Sequence, residues 1–184
     1  SAKITELAIK RHDIDAQHFQ LAYNKEANDK RTQVFLYGRN LVVEELQQIL
    51  DGLPKGSKIL DVGCGPGMYA ISLAKGSPSL VYGIDFAPSM IDIARKEAKK
   101  AGVEHICKFE VADFFALPED IKYNYLILMG FMDYMENPRK VIEKTLKLAT
   151  DKILFSFPSD KGFLAWQRKI RYKFKCPLFL YNEK

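Results

Sequence analysis

The chain has 184 residues, 47% hydrophobic and 28% charged, which suits one domain of ordinary size with a sizeable core. No apolar run approaches the roughly 20 residues of a membrane-spanning helix. The mild net charge of +5, from 28 basic and 23 acidic residues, admits an anionic partner without demanding one. The three cysteines (Cys64, Cys107, Cys176) and three histidines (His12, His18, His105) are scattered without metal-ligand spacing. That argues against a zinc site or a disulfide framework.

In chain order, residues 1–30 are polar and in part helical, with His18, Phe19, Leu21, Ala22 and Tyr23 forming an apolar patch. The opening residues carry no signal-peptide core, and the odd, sparse cysteine count makes a reducing cytoplasm the expected location. After a charged break at 24–31, residues 32–50 place Val34, Leu36, Leu41, Val42, Leu46, Ile49 and Leu50 at helical spacing. Asp51-Gly52 ends that pattern, and Pro54-Lys55-Gly56 turns the chain into a first strand at 58–62. A helix is expected over 68–74, and a second strand over 79–84 ending at Asp85. A helix over 88–101 follows, stopped by Gly102. A third strand spans 105–111, and Pro118-Glu119-Asp120 makes a turn. The fourth strand, 123–129, is apolar enough to be central. Asn137-Pro138 reads as cap and first turn of a helix continuing through 149. A fifth strand covers 152–157.

Strands alternating with helices predict an α/β fold, a doubly wound and mostly parallel sheet with helices on both faces. Ligands then sit at the carboxyl ends of the strands. The expected division of this single domain is a helical cap at 1–52, a core at 57–159 and a basic, aromatic segment at 160–184.

At the centre lies Ile59-Leu60-Asp61-Val62-Gly63-Cys64-Gly65-Pro66-Gly67, a strand, an acid and a glycine loop. Gly63, Gly65 and Gly67 let the backbone turn tightly and let a ligand come close to it. The dinucleotide fingerprint is G-x-G-x-x-G with a pyrophosphate on the following helix. Here the spacing is G-x-G-x-G. A carboxylate, Asp61, also precedes the first glycine, where it would repel a pyrophosphate and welcome a cationic amine.

At these residues the chain resembles the class I S-adenosylmethionine-dependent methyltransferases, whose first motif it matches throughout 59–67. The resemblance covers roughly 32–159. It implies a Rossmann-like core, S-adenosylmethionine as cofactor and an N-terminal helical lid. Asp85 is suited to accept two hydrogen bonds from a ribose diol, although an acid there also suits a helix cap. The resemblance favours the ribose, and it places Phe86 and Met90 beside the adenine, where core packing explains them equally well. In Val111-Ala112-Asp113-Phe114, the Asp113 carboxylate and a neighbouring backbone N–H suit the adenine edge. A loop aspartate capping a turn is the alternative. Met129-Gly130-Phe131-Met132-Asp133-Tyr134 borders the methionine part and the acceptor in that family. Asp133 and Tyr134 are the polar groups placed to orient or deprotonate an acceptor, against a plain loop acid and a half-buried tyrosine. In the lid, Tyr23, Tyr37 and Arg39 are candidates, with Arg39 suited to the methionine carboxylate or simply to the surface.

The acceptor is narrowed by what is missing. No Asn/Asp-Pro-Pro-aromatic motif follows the fourth strand, and Cys176-Pro177 has the wrong order and place for a cytosine nucleophile. DNA is therefore not expected, and a small-molecule or lipid-like acceptor, apolar or anionic, is preferred. Phe163, Trp166, Ile170, Tyr172 and Phe174 would face it. The basic residues Lys161, Arg168, Lys169, Arg171, Lys173 and Lys175 leave three readings: a solvated face, peripheral contact with acidic lipid, or RNA. A non-catalytic cofactor-binding subunit and an RNA methyltransferase are further alternatives. The family usually closes its sheet with an antiparallel hairpin. The sequence stops at Lys184, where that would follow, so the chain is either truncated or ends early, and in the second case pairing with a second copy would cover the edge.

Overall fold

A computed structural model describes residues 55–156 apart from residue 77, with the side chain of Asp133 also outside the description. The expected cap, the basic and aromatic segment, Tyr23, Tyr37, Arg39 and the place of a closing hairpin all lie outside the described residues. Five strands and three helices alternate: β1 (Lys58–Val62), α1 (Met68–Ala74), β2 (Leu80–Asp85), α2 (Pro88–Lys100), β3 (Cys107–Val111), β4 (Tyr123–Leu128), α3 (Pro138–Leu148) and β5 (Ala149–Phe155). The sheet order is β3-β2-β1-β4-β5, and every pair is parallel. The chain winds outward from β1 to β3 and then returns to the other side of β1. This reversal opens a crevice at the carboxyl ends of β1 and β4.

Each strand divides its residues between two faces. Ile59, Val81, Phe109 and Ile127 pack with Ala70 and Leu73 of α1 and Ile91 and Ala94 of α2. Leu60, Ile84, Leu126 and Leu128 pack with Val141 and Leu148 of α3. With apolar cores on both faces, β1 and β4 read as nearly unbroken apolar runs. The α3 start follows its sequence: Asn137 Oδ1 accepts from the Lys140 N–H at 3.4 Å, and Pro138 occupies the first turn.

The boundaries shift where tertiary pairing overrides local pattern. β5 starts at Ala149, directly after α3, because Ala149 already pairs with Tyr123; a bulge then brings Lys152 opposite Tyr125. β3 starts only at Cys107, because the Ile106 and Cys107 N–H groups both donate to the Val103 carbonyl and hold a turn there. Between β3 and β4 the chain forms one short 3₁₀ turn, Phe114–Ala116, and no longer helix. No helix among the described residues is long and apolar enough to cross a membrane.

Candidate functional site

The glycine loop leaves β1 and is laced to the end of β2. The Gly63 and Cys64 N–H groups donate to the Ile84 carbonyl at 2.8 and 2.9 Å. The Gly65 N–H donates to Asp85 Oδ2 at 2.9 Å. At Gly67, φ is +79°, and a Cβ would sit 2.9 Å from both the Ala94 Cβ and the Phe109 ring. At Gly65, φ is +51° and nothing among the described residues lies within 4 Å of the same added atom. Gly67 therefore serves packing, whereas Gly65 presents bare backbone to open space. The loop's one thiol, Cys64, is buried and donates to the Gly65 carbonyl at 3.6 Å. Burial, reinforced by Asp61 and Asp85, pushes its pKa up, so it stays a neutral packing group.

Asp85 terminates β2 with only 4% of its surface exposed. Its Oδ2 holds Gly65, and its Oδ1 accepts from the Ala87 N–H at 2.9 Å, at the entrance to α2. One carboxylate thus fixes the loop and the start of the next helix. The capping contact is present, and each oxygen keeps a second lone pair for a ligand donor.

Asp61 lies on β1 opposite Gly83, two residues short of Asp85 in register, and is 1% exposed. It pairs with Gly83 on one side and Ile127 on the other. The Ala70 N–H of α1 donates to the carboxyl group, while Oδ2 has no partner among the described residues. Burial first, with Asp85 adding to it, pushes its pKa up to about 7 against the Ala70 hydrogen bond. The sequence suggests a charge facing a ligand; the structure shows a carboxyl group tucked beneath α1 with one unsatisfied oxygen.

Asp113 follows β3, exposed, and its Oδ1 accepts from the Phe115 N–H at 2.9 Å, capping the 3₁₀ turn. The Ala112 N–H donates to the Asp85 carbonyl at 3.0 Å, so it is already engaged. Met90 is fully buried with Ala87 and Ile93, and Phe86 packs partly buried against them. After β4, Met129 packs on the α1–α2 side of the core. Asp133 and Tyr134 share the 3₁₀ turn Met132–Tyr134, in which the Tyr134 N–H donates to the Phe131 carbonyl at 3.2 Å.

Three contributors escape sequence reasoning. Ser156 Oγ accepts from the Gly130 N–H at 2.6 Å, tying the end of β5 to the loop after β4. The Phe131 ring lies over Gly63, where an added Cβ would meet it at 2.9 Å, and edges onto Phe114 at 5.8 Å. Gly83, inside β2, makes room for the Phe109 ring, 2.6 Å from the position of a Cβ. A glycine interrupting an apolar strand is the one signal that hints at the last. Among the described residues no cluster could hold a metal ion.

A family model described as a methyltransferase domain matches residues 53–162, more than half of the chain. The chain belongs to the methyltransferase domain family. Among curated relatives of this methyltransferase domain, the ubiquinone biosynthesis O-methyltransferase of Pasteurella multocida is 28% identical over 121 residues, covering 60% of this chain and 50% of that protein. The human EEF1A lysine methyltransferase 2 is 34% identical over 94 residues, covering 50% of this chain and 39% of its own. The chain thus spans half or less of these two relatives. In fold it is similar to the magnesium protoporphyrin IX methyltransferase of Synechocystis PCC 6803 with bound SAH, with a TM-score of 0.75, 23% identity and coverage of 91% of this chain and 77% of that one.

Proposed function

We propose that this methyltransferase domain binds S-adenosylmethionine at the carboxyl ends of β1, β2 and β3 and transfers its methyl group to a small-molecule or lipid-like acceptor. The observation that carries the reading is an unsatisfied, buried Asp61 oxygen on the strand that runs into the open backbone of Gly65. A ligand with a cationic amino-acid arm fits both; a pyrophosphate suits the bare backbone but brings no cation to Asp61. Gly63, Gly65 and Gly67 would border that arm. Asp85 would hold the ribose diol with its remaining lone pairs, and Asp113 would accept from the adenine amine. The adenine would lie near Phe86 and Met90, with Ala112 lending only carbonyl and side chain. Met129 would border the methionine chain, and Arg39 its carboxylate.

When bound, the cofactor supplies a methyl group already made electrophilic by a sulfonium, so the chain's task is positioning and exclusion of water. The segment Met129–Tyr134 would shape the acceptor side, with Asp133 and Tyr134 orienting or deprotonating the acceptor. The names of the ubiquinone and porphyrin enzymes support a ring-bearing small molecule. The human relative supports a second reading, a protein lysine acceptor.

The test is incubation with methyl-labelled S-adenosylmethionine and a cell extract split into metabolite, lipid, RNA and protein pools. Label in the metabolite or lipid pool is expected. Label confined to protein favours the second reading, and label in no pool, with adenosylhomocysteine still bound, points to a non-catalytic subunit.

A further inference from the structure

We infer that Asp61 is a proton-exchanging group of the ligand site: it holds a proton while the site is empty and releases it to solvent when a ligand ammonium enters beside the glycine loop. This deepens the cofactor reading above and rests on it. The O–H bond of the carboxyl group breaks, the proton passes to buffer, and the ammonium keeps its own protons and pairs with the carboxylate so formed.

The surroundings set up the exchange. From α1, Asp61 receives one N–H, that of Ala70. The Ala70 carbonyl in turn accepts from the Cys107 thiol of β3 at 3.8 Å. From β2 come Gly83, which has no side chain, and the Asp85 carboxylate, whose charge opposes a second one. From β4 comes apolar Ile127. From the loop comes the neutral Cys64 thiol. Among the described residues no lysine, arginine or histidine pairs with Asp61, and one of its oxygens has no partner. A carboxylate so enclosed is poorly solvated, and a second acid beside it makes ionisation harder still. Its pKa near 7 agrees with this placement. A cation brought to Oδ2, directly or through one water, reverses the balance.

The experiment is calorimetric titration of adenosylhomocysteine into the full chain at pH 6, 7 and 8.5, each in two buffers of different ionisation enthalpy. With ionisation centred near 7, release of about nine-tenths of a proton is expected at pH 6, about half at pH 7 and close to none at pH 8.5. Affinity should be roughly tenfold weaker at pH 6 than at pH 8.5. 5′-Methylthioadenosine, which has the nucleoside and sulfur but no ammonium, should bind without proton release. Asp61→Asn should bind adenosylhomocysteine more weakly and release no proton at any pH; if it does not fold, the comparison of the two ligands on the unaltered chain still decides. Binding of adenosylhomocysteine with no proton exchange at pH 6 overturns the inference and leaves the cofactor reading intact. Proton release that persists in a folded Asp61→Asn, or that accompanies methylthioadenosine equally, overturns it too. Failure of adenosylhomocysteine to bind at any pH overturns the cofactor reading itself, and the inference with it.

Discussion

On the β1–β2 side of the crevice, loop backbone is tied to Ile84 and Asp85, and the missing side chains of Gly67 and Gly83 are filled by Phe109 and Ala94. On the β4–β5 side, Gly130 has φ of +74° with nothing among the described residues within 4 Å of an added Cβ, and a single serine hydroxyl holds its N–H. One side is a close-packed cradle whose shape is set by buried contacts. The other is a rim that leaves Gly130 open among the described residues, while Phe131 and the fully buried Met132 next to it anchor the loop. A fold that serves one cofactor and many acceptors has reason to be built this way, since the common ligand calls for a rigid seat and the variable one does not.

The sharpest way to break the comparison is to add the same methyl group on both sides. Gly67→Ala forces a left-handed residue, at about 1–2 kcal/mol, and drives a Cβ into Ala94 and Phe109, at about 1–3 kcal/mol more. Gly65→Ala and Gly130→Ala meet only that backbone cost, about 1–2 kcal/mol each. Urea melts should therefore rank Gly67→Ala well below the other two. Among the mild pair, only Gly65→Ala should weaken adenosylhomocysteine binding out of proportion to its stability. Equal destabilisation at all three would mean that the cradle and the rim pack alike.

Next comes Asp85. Replacing it with alanine strips two backbone N–H groups, those of Gly65 and Ala87, of their acceptor. A loss of about 2–3 kcal/mol is expected, because buried donors are left unpaired. Adenosylhomocysteine affinity should fall at least tenfold, as the loop and the ribose acceptor go together. Asp85→Asn keeps one acceptor oxygen but turns an amide N–H toward a backbone donor, so it should fall between the two. Comparable affinity for Asp85→Ala and the unaltered chain would remove Asp85 from the ligand site.

How much of this could be read beforehand depended on distance along the chain. The strand–acid–glycine stretch at 59–67 and the acid closing β2 carry their chemistry in adjacent residues, and the sheet follows from the alternation of patterns. Pairing of Ala149 with Tyr123 overrode a helical run, and it could not be seen without the partner strand. The Phe131 ring over Gly63 and the Ser156 hydroxyl on Gly130 join residues far apart in sequence, through a register that includes a bulge. The burial of Asp61 was hidden for the same reason, since a carboxylate reads as a charge until a helix is seen to lie on top of it.

That burial makes a smaller prediction about stability. The folded-state pKa of Asp61 is raised, so between about 4 and about 7 the native state without ligand holds a proton that the unfolded chain has lost. Stability therefore falls as pH rises through this window, with a limiting slope of about 1.4 kcal/mol per pH unit from this one group. It levels off above 7. Asp61→Asn should flatten this component, and saturating adenosylhomocysteine should oppose it. Denaturant midpoints of the two proteins at pH 5, 6, 7 and 8 make the check; parallel curves would show that Asp61 does not titrate in the fold.

The smallest expected effect lies on the open rim, and it tests how far one hydrogen bond holds Gly130 in place. Ser156→Ala removes the acceptor of the Gly130 N–H, an exposed contact worth about 1 kcal/mol or less because water can replace it. Cofactor affinity should hardly move, since Gly130 lies across the crevice from the β1 loop. What should change is the order of the loop after β4, read as faster amide exchange at Gly130 and its neighbours with exchange at Gly65 unaltered. Ser156→Thr keeps the hydroxyl and should restore protection. If Gly65 loosens together with Gly130 in Ser156→Ala, the contact of Phe131 on Gly63 couples the two sides, and cradle and rim act as one unit.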